Sequence, residues 1–195
     1  MIEHKKLSQQ ILICRNGEIY EKRNKEGNKK MMITLLLSLM LMAGLFLILL
    51  SGVGFIQDTK FFGSAPKEVR DVIKTRKERF RGAHAVGWIM AVLSVLLMIG
   101  AFIIGAWNGI YNDFGFWQYF IRFIVMILLL KVFDVLFFDW VLLCNAGFNF
   151  FPLFYPETKE VLGRYLFGYN WKTHLSHVIG SFPVSAVLAW VCTLL

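Results

Sequence analysis

Charged residues are scarce in this chain of 195 residues, where Asp, Glu, Lys and Arg together make up 17% and hydrophobic residues make up 57%. Soluble domains carry about 25% charged residues, so this composition excludes an ordinary soluble domain of this size. A lipid bilayer is the solvent that suits it. Aromatic residues are abundant, with 19 Phe, 6 Trp and 6 Tyr, and such rings pack between membrane helices or lie at the headgroup boundary.

Cysteines are few, and the common catalytic motifs are missing. The sequence contains three cysteines, Cys14, Cys144 and Cys192. Because their number is odd and their spacing is not that of metal ligands, a disulfide framework and a zinc knuckle are not expected. The sequence contains no GxSxG, HExxH, Walker, GxGxxG or CxxC motif. These absences argue against hydrolases of the soluble type and against nucleotide-dependent enzymes.

Acidic residues are outnumbered, since 13 Asp and Glu stand against 21 Lys and Arg, and the formal net charge is +8. The basic residues concentrate in residues 1–30 and 60–81, and both stretches flank hydrophobic runs. A bilayer with anionic headgroups is therefore the expected partner, and no nucleic-acid partner is expected. The polar stretch before the first hydrophobic run argues against a cleavable signal peptide, so residues 1–31 are assigned to a basic N-terminal segment.

Four segments are long and apolar enough to cross a bilayer, for which about 20 residues suffice. Residues 32–56, 85–107 and 175–195 contain no Asp, Glu, Lys or Arg, whereas residues 116–143 contain four such residues. The sequence thus predicts an all-α integral membrane protein, with one domain of four transmembrane helices over residues 32–195.

The distribution of basic residues bears on the orientation of these helices. The turn over residues 108–115 carries no Lys or Arg, which favours a non-cytoplasmic position. The two longer connections would then be cytoplasmic and supply eleven basic residues, against eight in the N-terminal segment. Because this margin is small, the charge pattern leaves both orientations open.

Between the first two spans, residues 66–81 fit a helix with proline at its first turn. A basic stripe on this helix lies beside a narrow apolar stripe, and that pattern predicts a helix lying on anionic lipid. The residues predicted to contact lipid headgroups are Lys67, Arg70, Lys74, Lys77 and Arg81. A solvated helix with internal ion pairs is the alternative interpretation.

The connection between the last two spans is rich in aromatic residues and is interrupted by Pro152 and Pro156. We expect it to lie in the membrane interface, where aromatic rings are enriched. A short helix from Pro156 to about Tyr165 fits its sequence.

Lys131 and Asp134 lie near the middle of the third predicted span, where each charged residue costs roughly 2.5 to 3.5 kcal/mol. They are three residues apart, so they share a helix face and can form an ion pair. Asp139 and Asn145 are expected towards one mouth of a pathway through the helices. Together with Lys131 and Asp134 they form the predicted pathway for a solute or a proton. The alternatives are an ion pair that only fixes helix packing and a site that recruits a partner.

A second group of residues is expected near one membrane face, namely His84, Asp139, His174 and His177. Two histidines and a carboxylate can bind Zn or Fe(II) and leave positions open for water or substrate. The alternative is a pair of interfacial histidines that contact lipid. The sequence therefore assigns no cofactor.

Taken together, the pattern favours a multi-pass protein of a bacterial cell membrane that moves or binds a small polar or ionic solute. Four helices rarely enclose a wide pathway, so transport would imply a homo-oligomer. The alternatives are a non-catalytic subunit or assembly factor with a larger membrane-protein partner, and a metal-dependent membrane enzyme acting on a lipid substrate.

Overall fold

The computed structural model describes residues 2–63, 65–144, 150–163 and 166–195, and within these ranges it describes side chains from residue 20 onward. All regular elements in these ranges are helical. The helices are α1 (Ile2–Leu50), α2 (Lys67–Val72), α3 (Ala83–Tyr111), α4 (Phe116–Phe133), α5 (Phe150–Phe154) and α6 (Trp171–Thr193). Alpha1 and α4 continue as π-helical segments, Ser51–Ile56 and Asp134–Cys144, and 3-10 turns cover Thr59–Phe62 and Pro156–Glu160.

The chain divides into two compact units, Met1–Leu36 and Leu37–Leu195. The first unit consists of the N-terminal part of α1. The second unit contains the remaining elements, the apolar core and the candidate functional site described below.

Three of the described helices are long and apolar enough to cross a membrane. They are Tyr20–Ile56, Ala83–Tyr111 and Trp171–Thr193, which correspond to the first, second and fourth predicted spans. The third predicted span coincides with α4 and the π-helical segment after it, and α4 packs against α6. The all-helical architecture with membrane-compatible helices is thus confirmed.

The second unit carries large apolar side chains on its outside as well as in its core, and it also buries small polar side chains. Trp88 and Ile103 on α3 and Phe182 on α6 are each at least half exposed, whereas Ser94 and Ser185 are fully buried. Lipid tails tolerate exposed apolar surface, and small residues let membrane helices approach closely. This distribution is typical of a bundle surrounded by lipid.

A glycine positions α3 against the end of the first span. A Cβ atom at Gly87 would lie 2.7 Å from Cγ1 of Ile56 and 3.1 Å from its backbone nitrogen. The hydroxyl of Ser51 also donates a hydrogen bond of 2.6 Å to the Gly87 carbonyl. Only glycine permits this approach, which holds the π-helical end of the first span beside α3.

A cluster of buried hydrophobic residues lies at the end of the bundle where α6 begins. It joins the π-helical ends of the first span and of α4 to both long connections, and its members include Val53, Phe62, Val69, Ile73, Leu142, Leu143, Phe151, Tyr155 and Leu166. The rings of Phe62 and Tyr155, one from each connection, lie 5.1 Å apart between centroids. The aromatic connection therefore packs with the first connection into a cap over this end.

The cap shortens both helices that the sequence predicts in the connections. Alpha2 ends at Val72 instead of continuing to residue 81, because Ile73 is extended and buried in the cap, and the Arg76 backbone N–H donates to the Gln57 carbonyl. The basic residues predicted as one helical stripe therefore do not share a helix face. The helix predicted from Pro156 is only a 3-10 turn ending at Glu160.

The π-helical segment after α4 changes which side chains share a face. In an α-helix, residues five apart point about 140° away from each other, at 3.6 residues per turn. A π-helix closes i→i+5 hydrogen bonds, so residues five apart share a face. Asp134 and Asp139 are five apart within this segment, and both carboxylates therefore line the same cavity beside α6.

Candidate functional site

A cavity of about 230 Å³ lies under the cap, between α4 with its π-helical extension and the start of α6. Its apolar walls come from the first span and the cap, including Leu49, Val53, Phe62 and Phe151. Five ionisable side chains from α4 and α6 line it as well, namely Lys131, Asp134, Asp139, His174 and His177. We call these five residues the polar cluster.

One half of the polar cluster is centred on Lys131. Its ammonium donates to Oδ2 of Asp134 at 2.5 Å, and it lies 3.2 Å from Nδ1 of His177. Asp134 follows Lys131 by three residues at the point where α4 becomes π-helical, and His177 comes from α6. This ion pair offsets the cost of a charged residue within a predicted span.

The other half of the polar cluster is a histidine–carboxylate pair. His174 Nε2 lies 2.6 Å from Oδ2 of Asp139, and both side chains are largely buried. The other ring nitrogen, Nδ1, lies 4.0 Å from Oδ2 of Asp134 and makes no hydrogen bond within the described part of the chain. His174 therefore stands between the two carboxylates, with one ring nitrogen buried and without a hydrogen bond within the described part of the chain.

The cap end of the cavity is lined by neutral polar residues, Tyr169, Asn170 and Thr173, at and just before the start of α6. Burial raises the pKa of Tyr169, and the nearby carboxylates of Asp139 and Asp134 raise it further. The phenol hence keeps its proton near neutral pH and can act as a hydrogen-bond donor.

The formal charge of the polar cluster depends on its two histidines. Lys131 contributes +1 and the two aspartates contribute −2, so the cluster carries −1 with both imidazoles neutral and +1 with both protonated. In each of these formal states the charge of the polar cluster stays within one unit of zero, which suits a membrane interior.

The structure combines two groups that the sequence treats separately. Lys131 and Asp134 from the predicted solute pathway meet His174 and His177 from the predicted metal group, and Asp139 belongs to both. His84 lies apart, with its Nδ1 3.6 Å from a carboxylate oxygen of Glu78. Asn145, the fourth predicted pathway residue, lies outside the described residues.

The predicted metal site has no preassembled form among the described side chains, where no three His, Cys, Asp or Glu groups converge in a geometry that could hold an ion. His174 and Asp139 bond each other, and His177 bonds Lys131. The arrangement is that of a hydrogen-bonded network.

Sequence reasoning missed Tyr169, Asn170 and Thr173 as residues of the site. The spacing of Thr173, His174 and His177 places them on adjacent faces of the first turns of α6, which would have pointed to Thr173. Tyr169 lies before the helix, in an irregular stretch, where no periodic pattern predicts its direction.

The fold and the site define a class, a helical protein with membrane-compatible helices and a charged cavity under an aromatic cap. Comparison with protein-family models, with curated proteins and with solved structures finds no match to this chain. Its function is therefore argued from the cavity.

Proposed function

We propose that the protein binds a small polar or ionic solute in the polar cluster, exchanges a proton with it, and moves it across the membrane as a multi-pass protein with four spans. The single observation that carries this proposal is the gathering of five ionisable side chains in one cavity of a largely apolar bundle. Ionisable groups within membrane segments are expensive, and they commonly mark solute paths and proton relays. Homo-oligomers in a bacterial cell membrane remain the expected form and location.

Four spans are favoured by contacts between the two long connections. Arg76 in the first connection bonds Glu157 in the last connection at 2.5 Å, so these connections meet at one end of the bundle. If α3 crosses the membrane from that end, α4 and its π-helical extension must cross back before the chain can reach Glu157. The third predicted span is thereby supported despite its four charged residues.

Labelling of single cysteines tests this topology. We expect Lys74→Cys and Lys159→Cys to react with an impermeant thiol reagent from the same side of a sealed vesicle, and Asn112→Cys to react only from the other side. All three positions are exposed, and Cys144 and Cys192 are buried, so a Cys14→Ser background suffices. Reaction of Asn112→Cys and Lys159→Cys from one side would contradict four spans.

Blocking the cavity tests the solute proposal. The protein is reconstituted into vesicles that contain a pH-sensitive dye, and alkali cations, short carboxylates, amino acids and inorganic phosphate are added in turn. We expect one of these classes of solute to change the dye signal in the wild type. Thr173→Trp is expected to reduce the initial rate of this change about tenfold or more, because misplacing a bound molecule by even 1 Å can slow a reaction strongly.

The matched control is Thr193→Trp, which makes the same change at an exposed position near the other end of α6. It is expected to retain the wild-type rate. Equal rates in Thr173→Trp and wild type would show that the solute does not use this cavity.

A membrane enzyme is the second candidate, and the His174–Asp139 pair favours it specifically. A carboxylate that orients an imidazole at 2.6 Å is the arrangement that a general base requires. The candidates differ in outcome, because an enzyme converts its lipid substrate without an imposed gradient, whereas a transporter moves its solute unchanged.

A further inference from the structure

We infer that a second pocket, on the outer side of the cap, binds the phosphate-bearing headgroup of an anionic membrane lipid. This pocket has a volume of about 470 Å³ and is lined by Gln57, Arg76, Lys77, Arg79, Leu153 and Phe154. We call it the basic pocket. It shares no lining residue with the cavity of the polar cluster, so the inference does not depend on the proposed function.

The cations of the basic pocket are brought together by the segment that follows α2. Because that helix stops at Val72, Arg76, Lys77 and Arg79 lie in a non-helical stretch, and the Arg76 N–H is held by the Gln57 carbonyl at 3.4 Å. Gln57 itself has a left-handed backbone, with a φ of 53°. The continuous helix predicted from the sequence would have spread these residues around its circumference.

The cap positions the side chains of Arg76 and Arg79, which are two of the three cations of the basic pocket. Arg76 bonds Glu157 at 2.5 Å and lies 5.3 Å from the centroid of the Tyr155 ring. Arg79 lies 5.5 Å from the centroid of the Phe154 ring. Such cation–π contacts hold an arginine side chain in place, and the N–H groups that Arg76 does not use for Glu157 can bind a phosphate.

The basic pocket keeps a net positive charge. Arg76, Lys77 and Arg79 contribute +3 and Glu157 contributes −1, which leaves +2. Burial raises the pKa of Tyr155 to about 12, so this phenol adds no negative charge. Glu78 is turned towards the start of α3, where it accepts from the Gly82 N–H at 3.2 Å and pairs with His84. Lys77 has no ion pair within the described residues.

The rim of the pocket favours a lipid over a free phosphate ion. Leu153 is 66% exposed beside the basic pocket, and Phe154 is partly exposed next to it. Basic groups bordered by exposed apolar side chains fit a molecule with an anionic head and hydrocarbon chains. The headgroup would bind Arg76, Lys77 and Arg79, and the chains would lie along Leu153.

Native mass spectrometry of the full chain in a non-ionic detergent tests this inference, with phosphatidylglycerol, phosphatidylcholine or inorganic phosphate added. We expect one phosphatidylglycerol to bind per chain, with phosphatidylcholine and phosphate binding much more weakly. Lys77→Gln with Arg79→Gln is expected to weaken phosphatidylglycerol binding about 30-fold, since each basic residue near anionic lipid contributes roughly fivefold.

The matched control is Lys67→Gln with Lys74→Gln, which removes the same charge from exposed positions of the same connection outside the pocket. This double variant is expected to bind as the wild type does. Equal losses in the two double variants would overturn the inference, because they would indicate diffuse attraction. Displacement of the lipid by inorganic phosphate at equal concentration would overturn the assignment to a lipid.

A further variant, Leu153→Asp, tests the inference even if Lys77→Gln with Arg79→Gln does not fold. Leu153→Asp adds a negative charge to the rim at an exposed position, so it should leave the fold intact and repel the headgroup. We expect it to weaken phosphatidylglycerol binding as well. Unchanged binding in Leu153→Asp would overturn the proposed path of the lipid across the rim.

Discussion

Lys131→Met is expected to lower the free energy of unfolding by about 3 kcal/mol, because it leaves the Asp134 carboxylate without its cation in the bundle. The side chains of Lys131 and Asp134 are only 15% and 26% exposed, so little solvent is available to replace the lost partner. Adding Asp134→Leu to the same chain is expected to recover most of this loss, since the unpaired charge is removed. Unfolding of detergent-purified protein, followed by circular dichroism, measures the effect.

Lys172→Met is the control for the lost lysine, because Lys172 is exposed in the first turn of α6. It is expected to unfold as the wild type does. A double variant no more stable than Lys131→Met would contradict the ion pair as the source of the loss. Lys131→Met with Asp134→Leu also distinguishes two interpretations of the ion pair. If the pair only fixes packing, this double variant should move solute normally. If the pair binds solute, the double variant should fold but move no solute.

His174→Ala is expected to reduce the solute-driven proton signal at least about 100-fold, the lower end of what a positioned proton-transfer group contributes. His174 lies 2.6 Å from Asp139 and 4.0 Å from Asp134, so its removal interrupts the connection between the two carboxylates. The measurement is the initial rate of dye response in reconstituted vesicles, with the amount of folded protein equalised by size-exclusion chromatography.

His84→Ala provides the matched control, since His84 pairs with Glu78 outside the cavity. It is expected to keep the wild-type rate, and a wild-type rate in His174→Ala would remove the histidine from the mechanism. Metal content should be determined on the same samples. One tightly bound metal per chain, lost in His174→Ala with His177→Ala, would favour the enzyme candidate.

Hydrophobic runs were sufficient to locate the long helices, because lipid-facing helices must be apolar over about 20 residues wherever they lie. Local spacing also predicted the Lys131–Asp134 contact, since residues three apart share a face in any α-helix. The meeting of Asp139 with His174 followed from topology alone, because both lie near the same end of adjacent spans. These parts of the fold and site depend on short-range geometry.

Other features depend on contacts that periodicity does not contain. The predicted helix over residues 66–81 is longer than α2. The helix ends early because Ile73 is buried in the cap and the Arg76 N–H donates to the Gln57 carbonyl, and these contacts join residues that are distant in the sequence. The joining of the predicted solute pathway with His174 and His177 was missed, because it depends on how α4 and its extension pack against α6, which is a contact between distant parts of the sequence. A switch to π-helical hydrogen bonding leaves no clear signature in hydropathy.

The π-helical segment makes the chemistry of the cavity depend on backbone hydrogen bonding as well as on residue identity. If one residue were deleted between Asp134 and Asp139, the remaining residues could relax into an α-helix, and the second carboxylate would become an i+4 neighbour of the first. Residues four apart share a face of an α-helix, so a homologue with this deletion could keep both carboxylates in the cavity without any π-helical segment. A homologue of equal length with α-helical hydrogen bonds at this point would instead turn the second carboxylate about 140° away, and an alignment without gaps would not reveal the difference.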